Sequence, residues 1–129
     1  MGFLSKLFKK EEVIDIHTIE QNALNGNIKS AVILAQDSAS GIGCLKDSYT
    51  HDEVLKWNKV AAKLGDATSQ YNYSLLIFKD LTIVKGVPII SEKKNLEEAI
   101  FWMNEASKQN FEDAKELLIK LKSVLNSIE

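Results

Sequence analysis

"AAKLGDATSQYNYSLL", residues Ala61 to Leu76, joins two stretches of good helix formers through one glycine, Gly65. Helices end readily at a residue that accepts the left-handed conformation, and glycine does so without steric penalty. An exposed turn has no need of small neighbours, yet Ala61 and Ala62 precede this glycine and Ser69 follows it. Small side chains let two helix axes approach closely, so Gly65 reads as a tight corner between antiparallel helices packed on one another.

The corner comes back. Gly26 lies 39 residues before Gly65, and Asn110 lies 45 residues after it. Four positions past each corner stand Ser30, Ser69 and Ala114; eight positions past stand Leu34, Tyr73 and Leu118. Ala23 precedes the first corner by three, and Ala106 and Ser107 precede the third as Ala61 and Ala62 precede the second. Trp57 and Trp102 each fall eight residues before their corner, and Val54 and Ala99 eleven before. Thr50 and Asn95 fall fifteen before, with Glu53 and Glu98 three residues later, so both helices are expected to open with a cap and a reciprocal glutamate. Self-similarity at this period is the signature of a helical repeat array, with both tryptophans as core packing.

The expected helices cover about residues 13–25, 27–38, 50–64, 66–80, 95–109 and 111–127, and no stretch alternates as a strand between hairpin turns. The last one carries Leu117, Leu118, Leu121, Val124 and Leu125 at helical spacing, with Lys115, Lys120 and Lys122 on its wetter side, as a capping helix requires. The domain division is an amphipathic tail, 1–12, and a single helical-repeat domain, 13–129. At 129 residues the chain is one domain with room for a core.

These residues resemble the Sel-one-like repeat family, relatives of the tetratricopeptide repeats. The family's helix pair reads as a Trp, an Ala-Ala pair, a Gly, then a small residue followed by Gln-Tyr-Asn-Leu-Gly. Here Trp57, Ala61, Ala62, Gly65, Ser69, Gln70, Tyr71 and Asn72 match it, with Tyr73 and Ser74 in the last two places. The third unit retains Ala99, Trp102, Ala106, Ala114 and Leu118 and has Asn110 for the glycine; Gly86, Val87 and Pro88 match the family's Gly-Val-Pro element. The match runs from Thr50 to Leu121. Before it the first unit is degenerate, with Thr18 in the tryptophan's place. The resemblance implies an all-α, right-handed α-solenoid of about three antiparallel helix pairs. It also implies protein binding or scaffolding, commonly in bacterial signalling, secretion or toxin systems, without catalytic residues.

A formal charge of −2 argues against a nucleic-acid-binding body, which normally shows a basic excess. One cysteine, Cys44, permits no internal disulfide and fits a reducing compartment, so a cytoplasmic protein is expected. The loop "DSASGIGCLKD" fails both phosphate-loop patterns, because it has no third glycine and no Gly-Lys-Ser/Thr ending. His17 and His51 stand far apart with no spaced carboxylates or cysteines, so neither a metal nor another cofactor is expected. A hydrolase using Cys44 or a histidine has no nucleophile signature here.

Two segments stay open. "MGFLSKLFKK", residues 1–10, places Phe3, Leu4, Leu7 and Phe8 on one helical face beside Lys6, Lys9 and Lys10. It is too short to span a membrane, and it reads either as a helix docking on the core or as a weak membrane or partner contact. "LTIVKGVPIISEKK", residues 81–94, is a long apolar connection. It reads either as a helix extension over 81–84 with Ile89 and Ile90 folded on the core, or as the rim of a binding surface through Ile83, Val87 and Ile89.

In a solenoid of helix pairs the first helices line the concave side, which nominates Leu55, Lys56, Lys59, Phe101, Asn104 and Glu105 as contact residues. Leu55 and Phe101 are the favoured anchors, since a wet apolar patch marks a docking site. The expected function is a non-catalytic protein that docks a folded partner, an immunity protein occluding a toxin domain within that class. The alternative is a membrane-surface adaptor that touches lipid through residues 1–10.

Overall fold

A computed structural model describes residues 15–40, 45–79, 83–84, 87–88 and 93–128. They form six helices: α1 (Ile16–Leu24), α2 (Ile28–Ser40), α3 (His51–Lys63), α4 (Ala67–Lys79), α5 (Lys93–Lys108) and α6 (Glu112–Ile128). Each helix packs on the next in chain order.

The three corners have one geometry. Gly26, Gly65 and Asn110 all take positive φ, at 99°, 105° and 63°. At each, the corner amide donates back three residues and the next amide donates back five: Gly65 N to Ala62 O at 3.0 Å and Asp66 N to Ala61 O at 3.1 Å. Gly26 and Asn27 repeat this with Ala23 and Asn22, and Asn110 and Phe111 with Ser107 and Ala106. This pair of bonds satisfies carbonyls that the helix end leaves open. The following helix then starts at once. Asn27 Oδ1 accepts from Ser30 N, and Asp66 Oδ2 from Ser69 N, both at 2.9 Å.

The small residues lie where the helices meet: Ala23, Ala31, Ala61, Ala62, Ala106 and Ala114 are all at 1% exposure or below. Two cores result, and α3 is the wall between them. Ala61 belongs with Ile19, Leu34 and Trp57; Ala62 belongs with Tyr73, Leu96, Trp102 and Leu118. Each tryptophan shares its core with the residue eight past the preceding corner, Trp57 with Leu34 and Trp102 with Tyr73. Between the second helices of successive pairs, Ala39 shares a crevice with Asn72 and Leu76, and Leu75 and Phe78 share one with Leu117 and Leu121.

Two expectations are corrected. Thr50 does cap α3, its side chain accepting from Glu53 N at 3.1 Å while Glu53 Oε1 accepts from Thr50 N at 3.0 Å. Asn95, however, lies inside α5, which begins at Lys93. Nothing in the Asn95–Glu98 spacing is wrong for a cap, but it is equally compatible with an exposed first turn, and the helix starts earlier. Residues 83–84 do not extend α4. Ile83–Val84 (β1) pairs antiparallel with Val87–Pro88 (β2), Ile83 opposite Pro88, and β2 comes against α6. A proline at the strand end fits a two-strand ribbon, whose outer edge needs no amide donor.

Candidate protein-docking surface

α3 and α5 bring four side chains of the two later pairs into one cluster. Lys59 Nζ on α3 lies 3.7 Å from Glu98 Oε2 on α5 and 5.7 Å from the Tyr73 ring centroid on α4. Trp102 turns its indole N–H to the same Glu98 oxygen at 3.5 Å and meets Tyr73 edge-on, centroids 6.2 Å apart. One turn on, Phe101 stands 53% exposed with its ring edge-on to Trp102 at 4.9 Å. The underlying tryptophan restricts this phenylalanine's freedom in water, a favourable state for an anchor because less rotamer entropy remains to lose on binding.

The electrostatics of the cluster are mixed. Burial raises the Tyr73 hydroxyl above its usual range and the Glu98 charge adds to this, while Lys59 opposes both. Lys56 lies over the Trp57 ring at 4.6 Å, a cation–π contact that holds an exposed charge on α3. Asn104 is half-buried on α5, and Glu105 pairs with Lys108 at 2.9 Å. An ion pair as exposed as Lys59–Glu98 adds little stability, about 0–1 kcal/mol, so its weight lies in orienting the surface.

Of the residues nominated from sequence, Lys59 enters this cluster through Glu98 and Tyr73, and Phe101 touches it through Trp102; Lys56 lies over Trp57, and Asn104 and Glu105 stand further along α5. Leu55 is half-buried and packs against the second core. Ile83 and Val87 sit on the ribbon whose neighbour is α6. Ile89, Cys44 and the tail 1–12 lie outside the described residues. Glu98, read as the reciprocal glutamate of a cap, and Tyr73, read as a repeat residue, were not nominated from sequence. Only the placement of α3 beside α5 reveals that they share Lys59.

For chemistry the surface offers an apolar anchor ringed by both signs of charge. His17 is exposed and meets Glu20 at 3.3 Å, and His51 opens α3. Among the described residues no three metal-ligating side chains gather, and no helix is long and apolar enough to cross a membrane. Compared with known proteins, the chain matches no family model, no curated protein and no solved structure.

Proposed function

We propose that this chain is a non-catalytic repeat protein of the Sel-one-like type, a right-handed α-solenoid of three antiparallel helix pairs that docks a folded protein partner on its α3–α5 surface. Within that class we place it with cytoplasmic bacterial immunity proteins, which neutralise a toxin domain by covering it. Phe101 carries the reading: a large aromatic side chain, half in water, set edge-on to a buried tryptophan whose indole meets the Lys59–Glu98 pair. That anatomy matches the centre of a protein interface, where a few aromatic anchors supply most of the affinity and the polar rim sets register.

The chain's net charge of −2 favours a basic partner surface and faster encounter with it. The test is an affinity pull-down from the native organism with mass spectrometry, run with the wild-type chain and with Phe101→Asp. A toxic protein encoded nearby is expected on the first and lost from the second, with affinity falling about 30-fold for a loss of about 2 kcal/mol. Normal growth without this chain while every adjacent gene is expressed would sink the immunity role.

A further inference from the structure

α2 carries an apolar face that α4 and α6 lack at the same positions. Two and seven residues past its corner stand Ile28 and Ile33, 43% and 47% exposed. The same places hold Ala67 and the half-buried Asn72 on α4, and Glu112 and the half-buried Leu117 on α6. With Lys29 and Val32, the two isoleucines border a recess of about 400 Å³. Among the described residues all its lining comes from this one helix, and a convex helix supplies only one wall. Adjacent branched aliphatic side chains left wet in this way mark a surface that something covers.

One apolar stretch outside the described residues is joined closely enough in sequence to do so. Phe3, Leu4, Leu7 and Phe8 repeat at helical spacing, and their segment joins the structure at Asp15, the cap of α1. α2 packs back along α1, so Asp15 lies level with about Asp37, and Ile33 sits about 6 Å nearer the corner at roughly 1.5 Å per residue. Residues 9–14 reach about 20 Å when extended, at roughly 3.4 Å each, which spans that distance with slack. A covalently joined segment also binds at a high effective concentration, which a second copy or a separate partner does not have.

We propose that Phe3, Leu4, Leu7 and Phe8 dock on the Ile28–Ile33 face of α2 in the same chain. The apolar side of the N-terminal segment is then held by the protein and withheld from lipid, while Lys6, Lys9 and Lys10 stay in water. This site is separate from the α3–α5 surface and stands or falls without it.

A nitroxide placed on the full chain at Ser5→Cys, in a Cys44→Ser background, tests it. The methyl resonances of Ile28, Val32 and Ile33 are expected to broaden several-fold more than that of Ile119, which is 70% exposed on α6. The effect should persist on dilution. Equal broadening at all four, or broadening that disappears on dilution and so belongs to a second copy, overturns the proposal. As a second measurement, Ile28→Lys with Ile33→Lys should release the segment and raise flotation with phosphatidylserine vesicles several-fold over wild type. Wild-type flotation equal to the variant's overturns it as well.

Discussion

The first helix pair and the later two obey the same corner geometry but dress it differently. Eight residues before the corner, α3 and α5 bury Trp57 and Trp102 at 1% and 9% exposure, whereas α1 exposes Thr18. Four before, Ala61 and Ala106 are fully buried and Asn22 is exposed. Those positions on α3 and α5 face the pair before, and α1 has no such pair among the described residues. At the other end the relation reverses. Tyr71, Leu75 and Phe78 on α4 pack toward the next pair, Tyr71 stacking on Phe111 at 4.8 Å, while their counterparts on α6 are the exposed Glu116, Lys120 and Ser123. The motif thus divides in two: residues that shape a pair, present everywhere, and residues that join pairs, present only where there is a neighbour to meet.

The comparison breaks most visibly at the tryptophan position. Trp57→Ala should cost about 3–5 kcal/mol, seen as a fall in the denaturant midpoint, because it empties the first core. Thr18→Trp, which gives the first pair the residue of the later two, should move stability by less than about 0.5 kcal/mol. A large gain there would show that α1 does have a neighbour at that face.

At the corners the expected effects are smaller. No atom comes within 4 Å of a Cβ built at Gly65, so Gly65→Ala pays for backbone conformation alone, about 1–2 kcal/mol in a thermal melt. Asn110 already tolerates that conformation at φ 63°, and Asn110→Gly should leave Tm unchanged or slightly higher. Smaller again is the contrast between the two helix starts. Thr50→Ala removes a working cap and should cost about 1 kcal/mol, while Asn95→Ala, inside α5, should stabilise by up to about 0.5 kcal/mol.

The last contrast concerns pH. All three tyrosines, Tyr49, Tyr71 and Tyr73, are raised above 10.0, burial being the main cause in each. Tyr49 is raised further because its hydroxyl donates to Asp37 Oδ2 at 2.6 Å. A raised tyrosine favours the neutral form in the folded state, so its stabilisation is complete below pH 10 and falls as pH climbs beyond it. Absorbance titration of the native protein should show tyrosinate lagging behind the unfolded chain. Tyr49→Phe should remove part of that alkaline fall and cost about 1 kcal/mol at neutral pH through the lost hydrogen bond.

Corners were legible because they are local: positive φ restricts the residue, and Gly26, Gly65 and Asn110 announce it. Helix ends were legible to within two residues, except the start of α1, expected at 13 and found at Ile16; α5 starts two residues early, because an asparagine and a glutamate three apart satisfied the cap pattern without making the cap. Phe101 was legible as a residue off the packing stripe. Leu55 followed the same rule, yet it is half-buried, because helical phase says which side a residue lies on and not how far a neighbouring helix reaches around it. Glu98 and Lys59 are 39 residues apart, and no local pattern joins them. The 83–88 ribbon escaped because two-residue strands carry no periodicity.

The residues beside the corners also differ in how they respond to cold. One residue before the corner and five after it, the first junction offers Leu64 and Ala31, which share a core. The same places at the second junction are Gln109 and Gln70, where Gln109 Nε2 donates to Gln70 Oε1 and Gly65 O, each at 2.9 Å, and Gln70 Nε2 to Ala62 O at 3.1 Å. Hydrophobic contact weakens as water is chilled, whereas amide bonding does not share that dependence. Near freezing, then, the glutamine clasp beside Asn110 should keep its strength while the Leu64 and Ala31 packing beside Gly65 weakens, so low temperature becomes a way to compare the two junctions at their corners without a mutation.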